Sequence, residues 1–205
     1  MLFRSGAALY GAMLLMPLYW QQIRGESALG AAMLLIPQGI GVLLSRSLAG
    51  KFMDRIGARP VAVLAFAVTF ASTVPFGFVT PTSSNTMLMA VLFVRGLGLG
   101  AAMIALMGGA FVGMTRDQIP AAASISRVAQ QVGGSIGTAV LVVTLQRATA
   151  DTHTPTAVAS GFGDAFWWAA AFTAAAVPLS LLLPGKQAPE AEAEEPAQAD
   201  QPAEV

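Results

Sequence analysis

Gly50-Lys51-Phe52-Met53-Asp54-Arg55-Ile56-Gly57-Ala58-Arg59-Pro60 is a short charged island between two long apolar runs, and its reading decides how the chain folds. Lys51, Arg55 and Arg59 place three cations within nine residues, with Asp54 the only acid among them. Cations clustered in a short connection are retained on the cytoplasmic side of a membrane. Gly50 and Gly57 lack a Cβ and so permit a tight turn and close backbone approach, while Pro60 suits the first turn of a following helix. The island therefore reads as a cytoplasmic turn between two membrane helices.

Composition agrees. Hydrophobic residues make up 55% of the 205-residue chain and charged residues 11%, with a mean hydropathy of +0.66; soluble domains carry about 25% charged residues. An all-α integral membrane protein is the class that fits. The formal net charge of zero hides a polarity, because six of the eleven acids (Glu190, Glu192, Glu194, Glu195, Asp200 and Glu204) lie in the last sixteen residues. There is no cysteine, hence no disulfide framework and no thiolate metal site. His153, the only histidine, lies beside Asp151 in a polar stretch from Ala148 to Gly163, and no acid falls inside an apolar run. With no nucleophile, acid–base pair or metal cluster to build on, neither enzyme chemistry, a cofactor, a metal nor a nucleic-acid partner is expected. Nor is a cleavable leader: Met1 leads almost at once into a 19-residue uncharged run, too long for a signal h-region.

Outward from the island the chain divides into six apolar runs. The first, Ser5 to Ile23, would span about 28 Å as a helix and ends in Tyr19 and Trp20, aromatics of the kind that settle at a bilayer interface. After the turn Arg24 to Ser27, the second is uncharged from Ala28 to Leu44, with Arg46 and Lys51 close enough to its end to snorkel. Pro37 is expected to kink it, and Gln38, Gly39 and Gly41 beside the kink suit a protein or cavity face better than lipid. The third, Val61 to Val79, carries no charge, has little chemistry of its own and ends in the turn signal Thr80-Pro81-Thr82-Ser83-Ser84-Asn85. The fourth, Met87 to Met114, holds Arg95 and the small-x-x-x-small pair Gly96 and Gly100. The fifth, Ile119 to Leu145, opens on Ser124, Ser126, Arg127, Gln130 and Gln131, then presents Gly133, Gly134 and Gly137. The sixth, Ala165 to Leu183, starts at Phe166, Trp167 and Trp168, expected at the same interface as Tyr19 and Trp20.

Charge along that path sets the orientation. Arg4, Lys51, Arg55, Arg59, Arg116 and Lys186 fall on one side and Arg24 and Arg147 on the other, which predicts that both termini are cytoplasmic. Residues 1–184 then form one membrane bundle, and 185–205 an Ala/Glu/Pro-rich cytoplasmic tail too poor in apolar surface to order. Arg46, Arg95 and Arg127 remain inside the runs. Arg95 sits about 13 Å along the fourth helix, well within a hydrocarbon core of about 30 Å, where a guanidinium is disfavoured by about 2.5–3.5 kcal/mol. Either it serves a cavity, with Gln38, Gln130 and Gln131 as candidate partners, or it is a fixed structural cation on helix carbonyls; in both cases it keeps its proton. Tyr10, Met13 and Met16 on the first run form either an adaptable wall for a small apolar molecule or ordinary packing at helical spacing.

The pattern Gly50-x-x-x-Asp54-Arg55-x-Gly57-x-Arg59 resembles the signature loop of the major facilitator superfamily, which joins the second and third helices of a six-helix half. Here it follows the second run and precedes the third. Leu92-Phe93-Val94-Arg95-Gly96-Leu97-Gly98-Leu99-Gly100 resembles the Arg and Gly-rich pattern on the fourth helix of a facilitator half. With Pro37-Gln38-Gly39 and Gln130-Gln131-Val132-Gly133-Gly134, the chain from Leu2 to about Pro184 is similar to the carboxy-terminal part of a fourteen-helix drug/proton antiporter of the multidrug efflux type. The resemblance implies six transmembrane helices forming one half of a facilitator fold, built from two inverted three-helix repeats. Gln38-Gly39-x-Gly41 and Gln131-x-Gly133-Gly134 fit that internal symmetry. It also implies a cell-membrane exporter of drugs or other small amphipathic molecules, whose missing amino-terminal half of eight further helices supplies most of the proton coupling. Asp54 and Arg116 would then latch the inner gate. The competing reading is a transport-inactive membrane protein that associates with a second membrane chain and regulates it.

Overall fold

The computed structural model describes residues 13, 15–111, 113–115, 117–149 and 154–181, and these are helical without strands. The elements are α1 (Leu15–Gln22), α2 (Ala28–Leu34), α3 (Ile36–Ile56), α4 (Ala58–Thr73) with a 3-10 continuation Val74–Phe78, α5 (Asn85–Ala110), α6 (Ile119–Thr149) and α7 (Pro155–Ser180). Four stretches, Ala28–Ile56, Ala58–Phe78, Asn85–Ala110 and Ile119–Arg147, are long and apolar enough to cross a membrane. Tyr10, Arg116, His153 and the acidic tail lie outside the described residues.

Local chemistry accounts for the breaks. The second run is interrupted at Leu35, between α2 and α3, and Pro37 occupies the first turn of α3, where its missing N–H leaves no bond unmade. The charged island is less of a loop than expected. Gly50 to Ile56 form the last two turns of α3, and the connection to α4 is Gly57 alone, at φ 89° and ψ 167°, a conformation essentially reserved for glycine. Gly50 has no such role, since a Cβ there would meet no described atom within 4 Å. The sixth run also begins earlier than expected. The Thr154 hydroxyl accepts from the Ala157 N–H at 3.4 Å, Pro155 takes the first helical position, and α7 therefore includes the end of the expected 148–163 loop and an exposed Asp164.

α5 is the central helix, because its glycines let two neighbours close on it at once. On one side a Cβ at Gly96 would lie 3.1 Å from the Gln38 Cα and one at Gly100 2.7 Å from the Val42 carbonyl oxygen, so α3 and α5 approach backbone to backbone. On the other side a Cβ at Gly98 would lie 2.9 Å from the Thr69 amide nitrogen of α4. α7 packs on α4, its 3-10 continuation, α6 and α1.

Two apolar clusters fill the bundle, one toward each end. The first gathers Tyr19, Trp20, Phe76, Leu88, Leu92, Phe162 and Phe166; the second gathers Val61, Ala65, Phe66, Ala102, Leu106 and Ala176. Tyr19 and Trp20, expected at a bilayer interface, are fully buried among protein side chains, while Trp167 and Trp168 are exposed. Tyr19 meets Phe162 edge-on at 5.9 Å. Its hydroxyl donates to the Thr80 carbonyl at 2.6 Å, and Trp20 Nε1 donates to Asn85 Oδ1 at 3.3 Å. Arg24 Nη1 donates to the Pro81 and Ser83 carbonyls at 2.7 and 2.8 Å. These bonds clamp the end of α1 to the turn before α5.

Candidate functional site

Between the two apolar clusters lies a buried polar layer. α4 contributes Thr69, Ser72 and Thr73, α5 contributes Arg95 and α7 contributes Thr173. On each helix these residues fall between those of one cluster and those of the other. The hydroxyls donate to carbonyls of their own helix about one turn back: Thr69 to Ala65 at 2.8 Å, Ser72 to Val68 at 2.8 Å, Thr73 to Thr69 at 2.7 Å and Thr173 to Ala169 at 2.9 Å. That bonding spends the hydroxyl proton and leaves oxygen lone pairs as acceptors. Arg95, only 1% exposed, uses one of them, donating from Nε to Thr73 Oγ1 at 3.3 Å. Its partner is thus a threonine of the third run, the run that looked chemically plain, and not Gln38, Gln130 or Gln131.

α6 carries a second polar feature. Ser124, Arg127, Gln131 and Ser135 are exposed, Thr138 is half-buried, and their three- and four-residue spacing puts them on one face of a helix. A cavity of about 350 Å³ opens there, lined among the described residues by Gln131, Gly134, Ser135 and Thr138. Ser126 and Gln130 point the other way and are buried. Next to the polar stripe, Ile125, Val128, Val132 and Ile136 form an exposed apolar one. A helix long and apolar enough to cross a membrane thus presents polar groups outward over three turns.

The remaining candidates separate. Gln38 is buried beside Gly96, and with Met13, Leu35, Gly39, Val42, Leu43 and Arg46 it lines a cavity of about 420 Å³ along the first turns of α3. Met16 is 1% exposed and belongs to the first apolar cluster, which makes it packing rather than a wall. Lys51, Asp54, Arg55 and Arg59 are exposed around Gly57. The expected partner of Asp54, Arg116, is outside the described residues.

The family pattern described as the Major Facilitator Superfamily matches residues 1–138. The chain is 35% identical over 139 residues to the multidrug resistance protein B homolog of Mycobacterium tuberculosis (strain ATCC 25618 / H37Rv), covering 67% of this chain and 26% of that protein. It is 30% identical over 186 residues to the MFS-type transporter YcnB of Bacillus subtilis (strain 168), covering 89% of this chain and 39% of that protein. To the puromycin resistance protein pur8 of Streptomyces alboniger it is 32% identical over 146 residues, covering 69% and 29%. The matches thus take in between about a quarter and two fifths of these relatives' lengths. The family match spans the island at Gly57, the glycine-faced α5 with Arg95 and the polar stripe of α6, and the chain belongs to the Major Facilitator Superfamily.

Proposed function

We propose that the chain is a six-helix, carboxy-terminal half of a proton-coupled exporter of drugs or other small amphipathic molecules, in the cell membrane with both termini cytoplasmic. The observation that carries this reading is the polar stripe of α6. In hydrocarbon an unsatisfied polar group is disfavoured by several kcal/mol. Ser124 and Ser135 donate to the Pro120 and Gln131 carbonyls of their own helix, both at 3.0 Å, but the exposed Arg127 and Gln131 side chains require water or a polar partner on the face they present. A transport path between this bundle and a second one supplies both. The names of the relatives support a drug-like cargo, since two are called multidrug resistance and puromycin resistance proteins.

Most of the proton coupling is assigned to the other half. On the four membrane-crossing stretches, the charges away from the ends are Arg46, Arg95 and Arg127, which hold their protons and so cannot shuttle one. Among the described residues, the carboxylate this half carries within a helix and away from its ends is Asp164, exposed on the third turn of α7. Alternating access then consists of this bundle rocking against its partner, with the Gly57 turn and Asp54 meeting Arg116 when the inner side closes.

The test is reconstitution in vesicles with an imposed pH gradient, following puromycin uptake by the 205-residue chain alone and by the chain co-expressed with an eight-helix amino-terminal segment. Flux is expected only from the pair. Gradient-driven flux by the chain alone would overturn the half-transporter reading. Absence of flux from the pair, together with altered flux of another transporter on co-expression, would favour the regulatory reading instead.

A further inference from the structure

α3 and α4 touch each other little beyond Gly57, while each packs closely on α5. Between them lies an apolar groove of about 310 Å³, walled by Leu48, Phe52 and Ile56 of α3 and Leu64 and Val68 of α4, with Ala101 of α5 in its floor. Along α3 it extends from Ile56 to Ser45, about 16 Å of helix, or one leaflet of a hydrocarbon core of about 30 Å. On the other side of Leu64 a second apolar groove, of about 500 Å³, is lined by Arg59, Pro60, Val63, Leu64, Ala67 and Leu181. Leu64 is 65% exposed and forms the ridge between the two. The grooves share the Gly57 end, where Arg59 borders the second groove and Lys51 is exposed nearby.

We infer that this corner binds an anionic phospholipid, with one acyl chain on each side of Leu64 and the phosphate at Arg59. Two grooves with a common ridge match two acyl chains of one molecule. The cation at their common end matches a negative headgroup, which an apolar helix from another protein would leave unpaired. Asp54 is the one acid of the same eleven-residue stretch, against three cations, Lys51, Arg55 and Arg59, so the local balance stays positive. The inference requires only that the helices lie in a bilayer and does not depend on the transport reading.

The experiment reconstitutes the 205-residue chain in phosphatidylcholine vesicles containing spin-labelled phosphatidylglycerol or spin-labelled phosphatidylcholine, and measures the motionally restricted fraction of each. Phosphatidylglycerol should be preferred about fivefold, the effect of one cation at the membrane surface. Arg59→Gln should bring that preference close to one, Arg59→Lys should retain it, and Ala101→Phe, which fills the first groove, should reduce it. Equal restriction of the two lipids, or a preference that survives both Arg59→Gln and Ala101→Phe, would overturn the inference. The chain has no cysteine of its own, so Leu64→Cys reports on a competing occupant. A disulfide-linked dimer through that thiol would place a second copy in the grooves and overturn it too.

Discussion

A guanidinium inside a bilayer has few partners strong enough to hold it, and Arg95 is held among the described residues by the hydroxyl of Thr73. A hydrogen bond from a charged donor is worth about 1.5–3 kcal/mol, close to the about 2.5–3.5 kcal/mol by which the membrane disfavours the charge, so the two nearly cancel. Arg95→Met, which keeps most of the volume and removes the charge, is therefore expected to leave the unfolding free energy within about 1 kcal/mol of the parent chain. Arg95→Ala leaves a void and should lower it by about 2–5 kcal/mol. Chemical unfolding in mixed micelles, followed by helical circular dichroism, distinguishes the two, and an equal loss in both variants would show that the charge itself holds the layer. The burial of Arg95 was legible from counting along a helix. Its partner was not, because Thr69, Ser72 and Thr73 sit in an uncharged run and bond to their own helix, so nothing in their spacing marks which oxygen stays available. The two glycines of the charged island differ for a related reason: Gly57 needs its conformation and Gly50 does not. Gly57→Ala should cost about 1–3 kcal/mol, whereas Gly50→Ala, in a helix interior, should gain about 0.5–1 kcal/mol; thermal unfolding in detergent measures both.

At the scale of whole helices, the informative element is α5, whose glycines serve different neighbours by their spacing. Gly96 and Gly100 accept α3, while Gly98 accepts α4. The small-x-x-x-small pair announced the first contact in the sequence; the second depends on the rotation of α5 and emerges only with the fold. Gly100→Leu is expected to force α3 away and to destabilise the bundle by about 1–3 kcal/mol or more, as overpacking does. Gly39→Ala, at a site where a Cβ meets no described atom within 4 Å, should stabilise it by about 0.5–1 kcal/mol. Disulfide formation between cysteines placed at Ser45 and Ala101, which line the same groove, provides a direct readout of the α3–α5 approach, and its loss in the Gly100→Leu background is the expected result. Helix ends were less legible than helix middles. Thr154 and Pro155 read as loop residues in a polar stretch, yet a capping threonine followed by proline is also a helix start, and local sequence alone does not separate the two. Polarity misled in the opposite sense at Tyr19 and Trp20, whose polar tips suggested an interface but are satisfied within the protein by Thr80 and Asn85.

For the molecule as a whole, composition and the basic island at Gly57 were enough to read a helical membrane protein, because hydropathy and short basic turns are set by the bilayer and not by tertiary detail. The facilitator type came from the resemblance carried by the spacing of Gly50, Asp54, Gly57 and Arg59 and by the pattern around Arg95. Orientation rests on charge asymmetry and has a direct test. Ala58 is buried, so Lys51 is the better reporter for the Gly57 end, and Thr82 and Thr154 are exposed at the other. Cysteines at Thr82 and Thr154 should react with a membrane-impermeant maleimide added to intact cells, and one at Lys51 only after permeabilisation. Reaction of position 51 in intact cells would reverse the orientation. The polar stripe of α6 was half legible, as Arg127 and Gln131, but its extension through Ser135 to Thr138 passes through glycines and small residues that resemble packing until the exposed face is seen.

The clamp at the Thr80 turn bears on the order in which the protein is made. Tyr19, Trp20 and Arg24 bond to residues synthesised 57 to 65 positions later. At about 5–20 residues per second, their side chains leave the ribosome about 3–13 s before their partners exist. During that interval the end of α1 has none of these partners, and only the arrival of Thr80 to Asn85 supplies them. Formation of α1 and its docking on this turn are therefore separate events in time, set by the 57 to 65 residues between the partners.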